Sequence, residues 1–302
     1  MNDVIIDSIS KSYGKKRALA GVSAEIKPGE IFGFIGADGA GKTTLFRVLT
    51  TLLLPDSGSA SVCGLDARRD WKRIRPLLGY MPGRFSLYED LSVEENLNFF
   101  AAAFSTTVKE NYDSIREIYD QLAPFRTRRA GKLSGGMKQK LALCCALVHK
   151  PEVLFLDEPT TGVDAVSRKE FWELLARIRE RGVTIVASTP YMDEASRCDR
   201  VALISDGRLL ATDSPARLTK SFGLRIFEII PGNKFEALLT IEKLPNTSRI
   251  YPFGQSLHYV DRRADITAED VKRIANGVIV REIEPDIEDV FIMLMDRHDK
   301  VQ

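Results

Sequence analysis

Apolar positions in this chain change spacing several times, and each change marks an element. Residues 4–35 break into short alternating runs that predict strands separated by turns. The last of them, Ile31-Phe-Gly-Phe-Ile35, is continuously apolar and ends at Gly36, as a buried strand would. Leu45, Val48, Leu49 and Leu52 then recur at helical spacing and predict a helix over 42–53. Residues 70–130 differ in texture, helical with acidic and aromatic stretches (Leu97, Phe99, Phe100, Phe104), and predict an inserted helical subdomain at about 85–150. Apolar strands return at 153–156 and 183–188. Between them a helix over 165–181 is expected to turn Val166, Phe171, Leu174, Leu175 and Ile178 inward and to stop at Gly182. Asp206-Gly207 between Val201–Ser205 and Arg208–Ala211 is a hairpin signal. Strands alternating with helices predict an α/β class with a mostly parallel sheet covered on both faces.

From about 223 the pattern resets. Strand (225–230), helix (234–243), strand (249–253), strand (256–261), helix (267–276) and strand (278–283) predict a small ferredoxin-like α+β domain over 223–302, closed by an amphipathic helix at 286–296. No catalytic constellation occurs there, so a dimerising, regulatory or bracing role is expected.

Composition changes the picture little. With 44% hydrophobic and 28% charged residues over 302 positions, the chain reads as globular with room for two domains. A formal net charge of +1 gives no bulk argument for nucleic acid. The basic clusters at 68–75 and 126–132 are balanced by flanking acids and read as solvated faces. Cys63, Cys144, Cys145 and Cys198 lack CxxC spacing and read as buried thiols in a reducing compartment. The opening MNDVIIDSIS predicts no secretory signal, and no stretch approaches the ~20 apolar residues of a membrane span. A cytoplasmic location is expected, with any membrane role supplied by a partner.

The chemistry lies in three motifs. Gly36-Ala37-Asp38-Gly39-Ala40-Gly41-Lys42-Thr43, followed by Thr44, matches the P-loop pattern G-x-x-x-x-G-K-[ST] between a strand and a helix. Its backbone N–H groups suit phosphate oxygens, Lys42 a β/γ-phosphate, and the Thr43 hydroxyl Mg²⁺. Val153–Leu156 ends in Asp157, a candidate holder of Mg²⁺, and Glu158, a candidate catalytic residue that polarises the attacking water. Tyr13, in a polar stretch, is a candidate for stacking on adenine. The third motif is Leu133-Ser134-Gly135-Gly136-Met137, opening an apolar helix.

Together these motifs resemble the ATP-binding subunit of an ABC transporter over residues 1–222, and the tail is similar to the C-terminal extension of drug-export members. The resemblance implies a P-loop NTPase (RecA-like) core with antiparallel β and helical subdomains, with ATP and Mg²⁺ as ligands. It implies that residues 133–137 close on the ATP of a second subunit, that Thr161-Gly-Val-Asp164 is a D-loop touching the opposite site, and that residues 87–93 lie near a docked integral-membrane permease. The expected location is then the inner face of the plasma membrane. Export rests on the tail and the 87–93 segment.

Two positions depart from the family. After Gly79-Tyr-Met-Pro82 it usually has a glutamine that reaches Mg²⁺ and the lytic water; this chain has Gly83. After Thr189 it usually has a histidine at the γ-phosphate; this chain has Pro190. Neither offers a side-chain donor or acceptor. One such lost group costs ~10²–10³-fold in rate. The expectation is a chain that binds ATP well, hydrolyses it slowly in its own pocket, and pairs with a complete ATPase subunit rather than with itself. The competing expectations are an ATP-dependent dimerisation module with negligible hydrolysis, and a soluble ABC protein of translation or repair, which tandem cassettes or coiled-coil insertions would mark.

Overall fold

The computed structural model describes residues 2–84, 86–275 and 279–299, the last four by backbone alone. The chain divides into two compact units, Met1–Pro215 and Ala216–Gln302.

The first unit opens with strands β1 (Val4–Tyr13) and β2 (Lys16–Ile26), a hairpin that joins β4 (Ser57–Val62) and β5 (Leu65–Asp66) in an antiparallel sheet of order β2-β1-β4-β5. β3 (Ile31–Ile35) belongs to a second sheet with β6 (Leu78–Met81), β7 (Val153–Asp157), β8 (Thr184–Thr189), β9 (Arg200–Ser205) and β10 (Arg208–Asp213). Its order is β10-β9-β3-β8-β7-β6, parallel throughout except for the β9–β10 hairpin. The carboxyl ends of β3, β8, β7 and β6 therefore fall side by side on one edge, where ligands of open α/β sheets bind.

Helix α1 (Lys42–Leu49) lies over this sheet. Phe46 sits edge-on to Phe34 and to Phe155, with ring centroids 6.0 and 5.9 Å away. α1 is shorter than the periodicity predicts. Thr50 Oγ1 bonds back to Phe46 O, Thr51 takes a left-handed φ of 62°, and Leu52 emerges 57% exposed. A short helix α2 (Trp71–Ile74) leads into β6. α3 (Val93–Ala103), α4 (Tyr112–Leu122) and α5 (Gly135–Leu147) form the helical region. α3 starts at a capping box in which Ser92 and Glu95 satisfy each other's backbone N–H.

α6 (Ala165–Glu180) is capped by Asp164, which accepts from the Val166 and Ser167 amides. Phe171, Leu174, Leu175 and Ile178 are buried as expected, but Val166 is 69% exposed. Five residues of helix carry Val166 about 140° away from Phe171, off the buried face. The basic clusters at 68–75 and 126–132 are exposed, and Cys144, Cys145 and Cys198 are buried with Cys63 half-buried.

α7 (Pro215–Lys220) begins at the junction. The second unit runs β11 (Ile226–Ile230), α8 (Lys234–Glu242), β12 (Thr247–Phe253), β13 (Ser256–Asp261), α9 (Ala268–Ile274), β14 (Ile279–Ile283) and α10 (Ile287–Asp299). Its antiparallel sheet has the order β12-β13-β11-β14, the arrangement of a split β-α-β sandwich. Phe227, Ile229, Ile241, Leu257, Tyr259 and Val271 make its core. The expected helix end at Asn276 and strand start at Val278 lie outside the described residues. No helix among the described residues is long and apolar enough to cross a membrane.

Candidate nucleotide site

The loop leaving β3 is held from behind by backbone. Gly207 N, in the β9–β10 turn, donates to Ala40 O at 3.0 Å, and Ala20 N on β2 donates to Gly207 O at 2.8 Å. Two glycines are sterically required here. A Cβ on Gly36 would stand 2.1 Å from Ile204 O. Gly41 has φ +105°, and a Cβ there would meet Ala18 O at 2.4 Å. The loop is thus clamped between β2 and the β9–β10 turn before it opens α1.

Lys42 is buried at the start of α1. Its Nζ donates to Gly36 O (2.8 Å) and Ala37 O (3.0 Å) and lies 3.1 Å from Glu158 Oε1. Glu158 has a left-handed φ of 51°, a costly conformation for a residue with a Cβ that tends to occur where function demands it. Its amide donates to both the carbonyl oxygen and the Oγ of Ser188, each at 3.1 Å. The same Ser188 hydroxyl donates to Asp157 Oδ1 at 2.7 Å. Asp157 is buried, and its charge, after burial itself, helps push the neighbouring Tyr80 hydroxyl up to about 12.

Of the expected nucleotide-cleft residues, Tyr13, Gly39, Gly41, Lys42, Thr43, Thr44 and Glu158 line one open cleft of about 230 Å³, together with Lys16 and Ala18. Tyr13 stands 47% exposed at the β1–β2 turn. Ala37 and Asp38 are exposed on the loop, whereas Gly36 and Ala40 are buried in its base.

Residues Leu133, Ser134, Gly135, Gly136 and Met137 do not line that cleft. Ser134 caps α5, accepting from the Met137 amide at 3.4 Å. Gly136 abuts Ser167, whose Oγ would be 2.8 Å from an added Cβ, and Gly135 faces Gly162 O at 3.4 Å on the same measure. Residues 133–137, the signature motif, therefore adjoin the Thr161–Asp164 turn and the start of α6. Hydrogen bonds from the amide and the side chain of Ser167, and a weaker one from the Val166 amide, hold Asp164 below the usual carboxylate range.

The two departures sit against this machinery. Gly83 is exposed just beyond β6, and a Cβ there would be 3.0 Å from Asp157 O and 3.7 Å from Glu158 Cβ. Pro190 follows Thr189, which pairs with Ile35 and accepts the Gly36 amide at 3.2 Å. Both positions adjoin the groups that would face a γ-phosphate, and neither brings a polar side chain.

Two contributors were not anticipated from the sequence: Ser188, and a buried Glu194 that accepts from Thr160 (2.7 Å) and Thr189 (2.6 Å). A serine inside an apolar strand is the one signal available for Ser188; Glu194, in Tyr-Met-Asp-Glu-Ala-Ser, reads from the sequence as a solvated loop acid. A second, larger cleft of about 530 Å³ lies where β6 and α2 meet the helical region, lined by Trp71, Tyr80, Leu87, Phe100, Phe104 and His149 among others. His149 stacks on Phe104 with centroids 3.7 Å apart, and burial moves its pKa below the usual histidine range.

A parallel sheet that ends in a clamped phosphate loop, with an acidic pair two strands away, defines a P-loop nucleotide-binding cassette. A family model described as "ABC transporter" matches residues 19–161. Among relatives, the probable multidrug ABC transporter ATP-binding protein YbhF of Escherichia coli strain K12 is 41% identical, across 98% of this chain and 53% of that protein. The Nod factor export ATP-binding protein I of Rhizobium sp. strain N33 is 35% identical, across 98% of this chain and 99% of its own length. The chain belongs to the family of ABC transporter ATP-binding proteins. It spans about half the length of the first relatives it matches. An ATP-binding subunit of an ABC transporter has a similar solved structure, with TM-score 0.66, 27% identity, and 73% of this chain and 93% of that one covered. The structure of cbiO1 from Clostridium perfringens, part of the ABC transporter complex cbiONQ, gives TM-score 0.65 and 26% identity over 72% of this chain and 91% of that one.

Proposed function

We propose that this chain is the ATP-binding, ATP-hydrolysing subunit of an ABC exporter, slow at its own site and paired with a complete ATPase subunit. The observation that carries this reading is the composition of one sheet edge. Lys42, Thr43 and Glu158 line one cleft there, Asp157 is buried beside Glu158 at the end of β7, and the flanking positions hold Gly83 and Pro190.

The residues fit Mg²⁺ and ATP. Thr43 offers a hydroxyl and Asp157 a carboxylate, the hard oxygen donors that suit Mg²⁺ beside phosphate oxygens. When bound, the ion neutralises charge on the β- and γ-phosphates. Loop amides and the α1 N-terminus take the phosphates, Lys42 exchanges its Glu158 partner for phosphate charge, and Tyr13 covers the adenine. Released from Lys42, Glu158 orients the attacking water and accepts its proton. With positions 83 and 190 silent, that water is held by fewer groups, and turnover falls by ~10²–10³-fold while binding persists.

The surface of Ser134–Gly136 with Thr161–Asp164 lies outside the lining of this cleft and suits the ATP of a second subunit. The signature is intact, so a complete partner subunit gains a working site here. The cleft beside Trp71, Leu87 and Phe100 suits a cytoplasmic helix of a permease, which would place the chain on the inner face of the plasma membrane. The names of the relatives support export.

Single-turnover ATPase measurements on the isolated chain, with Glu158→Gln as reference, test the proposal. A slow rate that still exceeds the Glu158→Gln rate supports it. Equal rates would assign the chain to an ATP-locked binding module. Turnover at the speed of complete relatives would refute the slow site.

A further inference from the structure

The loops that follow β7 and β8 are stitched together by one buried carboxylate. Glu194, on the short 3₁₀ turn Met192–Arg197, is 3% exposed. Its Oε1 accepts from Thr160 Oγ1 at 2.7 Å and its Oε2 from Thr189 Oγ1 at 2.6 Å. Both threonines are fully buried. Thr189 Oγ1 in turn accepts the Tyr191 amide at 3.0 Å, which closes the turn around Pro190. Arg168 Nε lies 3.5 Å from Glu194 Oε1, and its guanidinium covers the Tyr191 ring at 4.5 Å and bonds Asp193 at 2.6 Å.

The sequence position of Thr160 gives this arrangement its meaning. It stands two residues beyond Glu158, whose strained backbone is held by Ser188 and by the turn bond from Thr161 N to Glu158 O at 3.2 Å. Ser188 fixes the start of this loop and Glu194 its far side. Thr160 O also accepts the Val163 amide, at 3.2 Å, so the same anchor sets the root of the segment leading to Asp164. With Gly83 and Pro190 offering no side chain to the water, placement of Glu158 rests on this scaffold.

Resting on the ATPase reading above, we infer that Glu194 is the positioning residue for Glu158, acting through Thr160, and that it ties the Glu158 loop to the Thr189–Tyr191 turn. Two acceptor oxygens facing two hydroxyl donors is a pattern only a carboxylate supplies. An amide at this position presents one N–H donor, so one threonine hydroxyl must turn from donating to accepting and gives up its charge-assisted bond, which weakens one side of the stitch with little change in volume.

The test uses the full chain with Mg²⁺ and ATP and compares Glu194→Gln, Thr160→Val and Thr160→Ser. Glu194→Gln is expected to lower single-turnover kcat about tenfold or more, since small misplacements of a catalytic group carry losses of that order. KM for ATP should stay within about twofold, because the phosphate loop is untouched. Thr160→Ser, which keeps the hydroxyl, should recover the rate lost in Thr160→Val. Hydrogen–deuterium exchange of the peptide covering 158–164 should rise in Glu194→Gln with ATP bound, and this readout does not depend on turnover. Unchanged exchange in 158–164 overturns the inference, as does a parallel rise in KM and fall in kcat. If the unsubstituted chain binds ATP but never exceeds its Glu158→Gln reference, the ATPase reading fails, and exchange alone decides the role of Glu194.

Discussion

Replacing Ser188 by Ala removes one oxygen atom at the centre of the site, and its cost can be worked from the contacts. The hydroxyl donates to Asp157 Oδ1 at 2.7 Å and accepts the Glu158 amide at 3.1 Å. The amide keeps a second acceptor, Ser188 O, also at 3.1 Å, so it is not orphaned. The loss therefore falls on Asp157, a buried carboxylate deprived of a charge-assisted bond, worth about 1.5–3 kcal/mol. For a unit of this size each kcal/mol moves the melting temperature by about 2–4 °C, which gives a fall of about 3–12 °C. Both tryptophans, Trp71 and Trp172, lie in the first unit, so intrinsic fluorescence follows the unfolding of that unit. A Ser188→Ala protein that melts within about 1 °C of the parent would refute the reasoning, because it would mean that Asp157 is satisfied without the serine.

Three further outcomes follow from other parts of the molecule. Gly83→Gln combined with Pro190→His should raise single-turnover hydrolysis, by up to about 10²-fold. Gly83→Gln alone should give less than tenfold, because its Cβ meets Asp157 O at 3.0 Å and the loop must yield; phosphate release measures both. Burial keeps Cys144, Cys145 and Cys198 protonated far above neutrality, and burial with the nearby Glu152 pushes Cys63 up to about 12. A disulfide reagent at neutral pH should therefore label the native chain slowly and the unfolded chain at all four sites. In the second unit, burial opposes the charge of Asp261, but bonds from Arg263 and Tyr259 outweigh it and hold the carboxyl below its ordinary 3.8. Its contribution to stability is complete above that value and is lost as pH falls through the lower folded one, so Asp261→Asn should flatten the acid limb of the unfolding profile below about pH 4, followed by circular dichroism.

Much of this molecule was legible from spacing alone, because spacing reports local physics. A five-residue apolar run ending in glycine is too short for a helix and suits a buried strand entering a tight loop, and Ile31–Ile35 with Gly36 behaves so. The motif around Lys42 carries its own geometry, since the glycines that let it curl are also those whose Cβ atoms would strike Ile204 and Ala18. Asp206-Gly207 marked its hairpin because left-handed backbone is costly for most other residues.

Other features depended on residues distant in the chain. Periodicity predicts the helix to residue 53, but α1 stops before the left-handed Thr51, and periodicity turns Val166 inward where helix geometry leaves it in solvent. Ser188 and Glu194 carried no motif. Their importance arises because the strand order β3-β8-β7 brings residues 157–160 beside 188–194, about thirty positions away in sequence. Sequence alone named the phosphate-loop residues and Glu158 that line the cleft, since each needs only its neighbours in the chain to take shape. Sheet order, a product of packing across the whole unit, decided which side chains hold those groups in place.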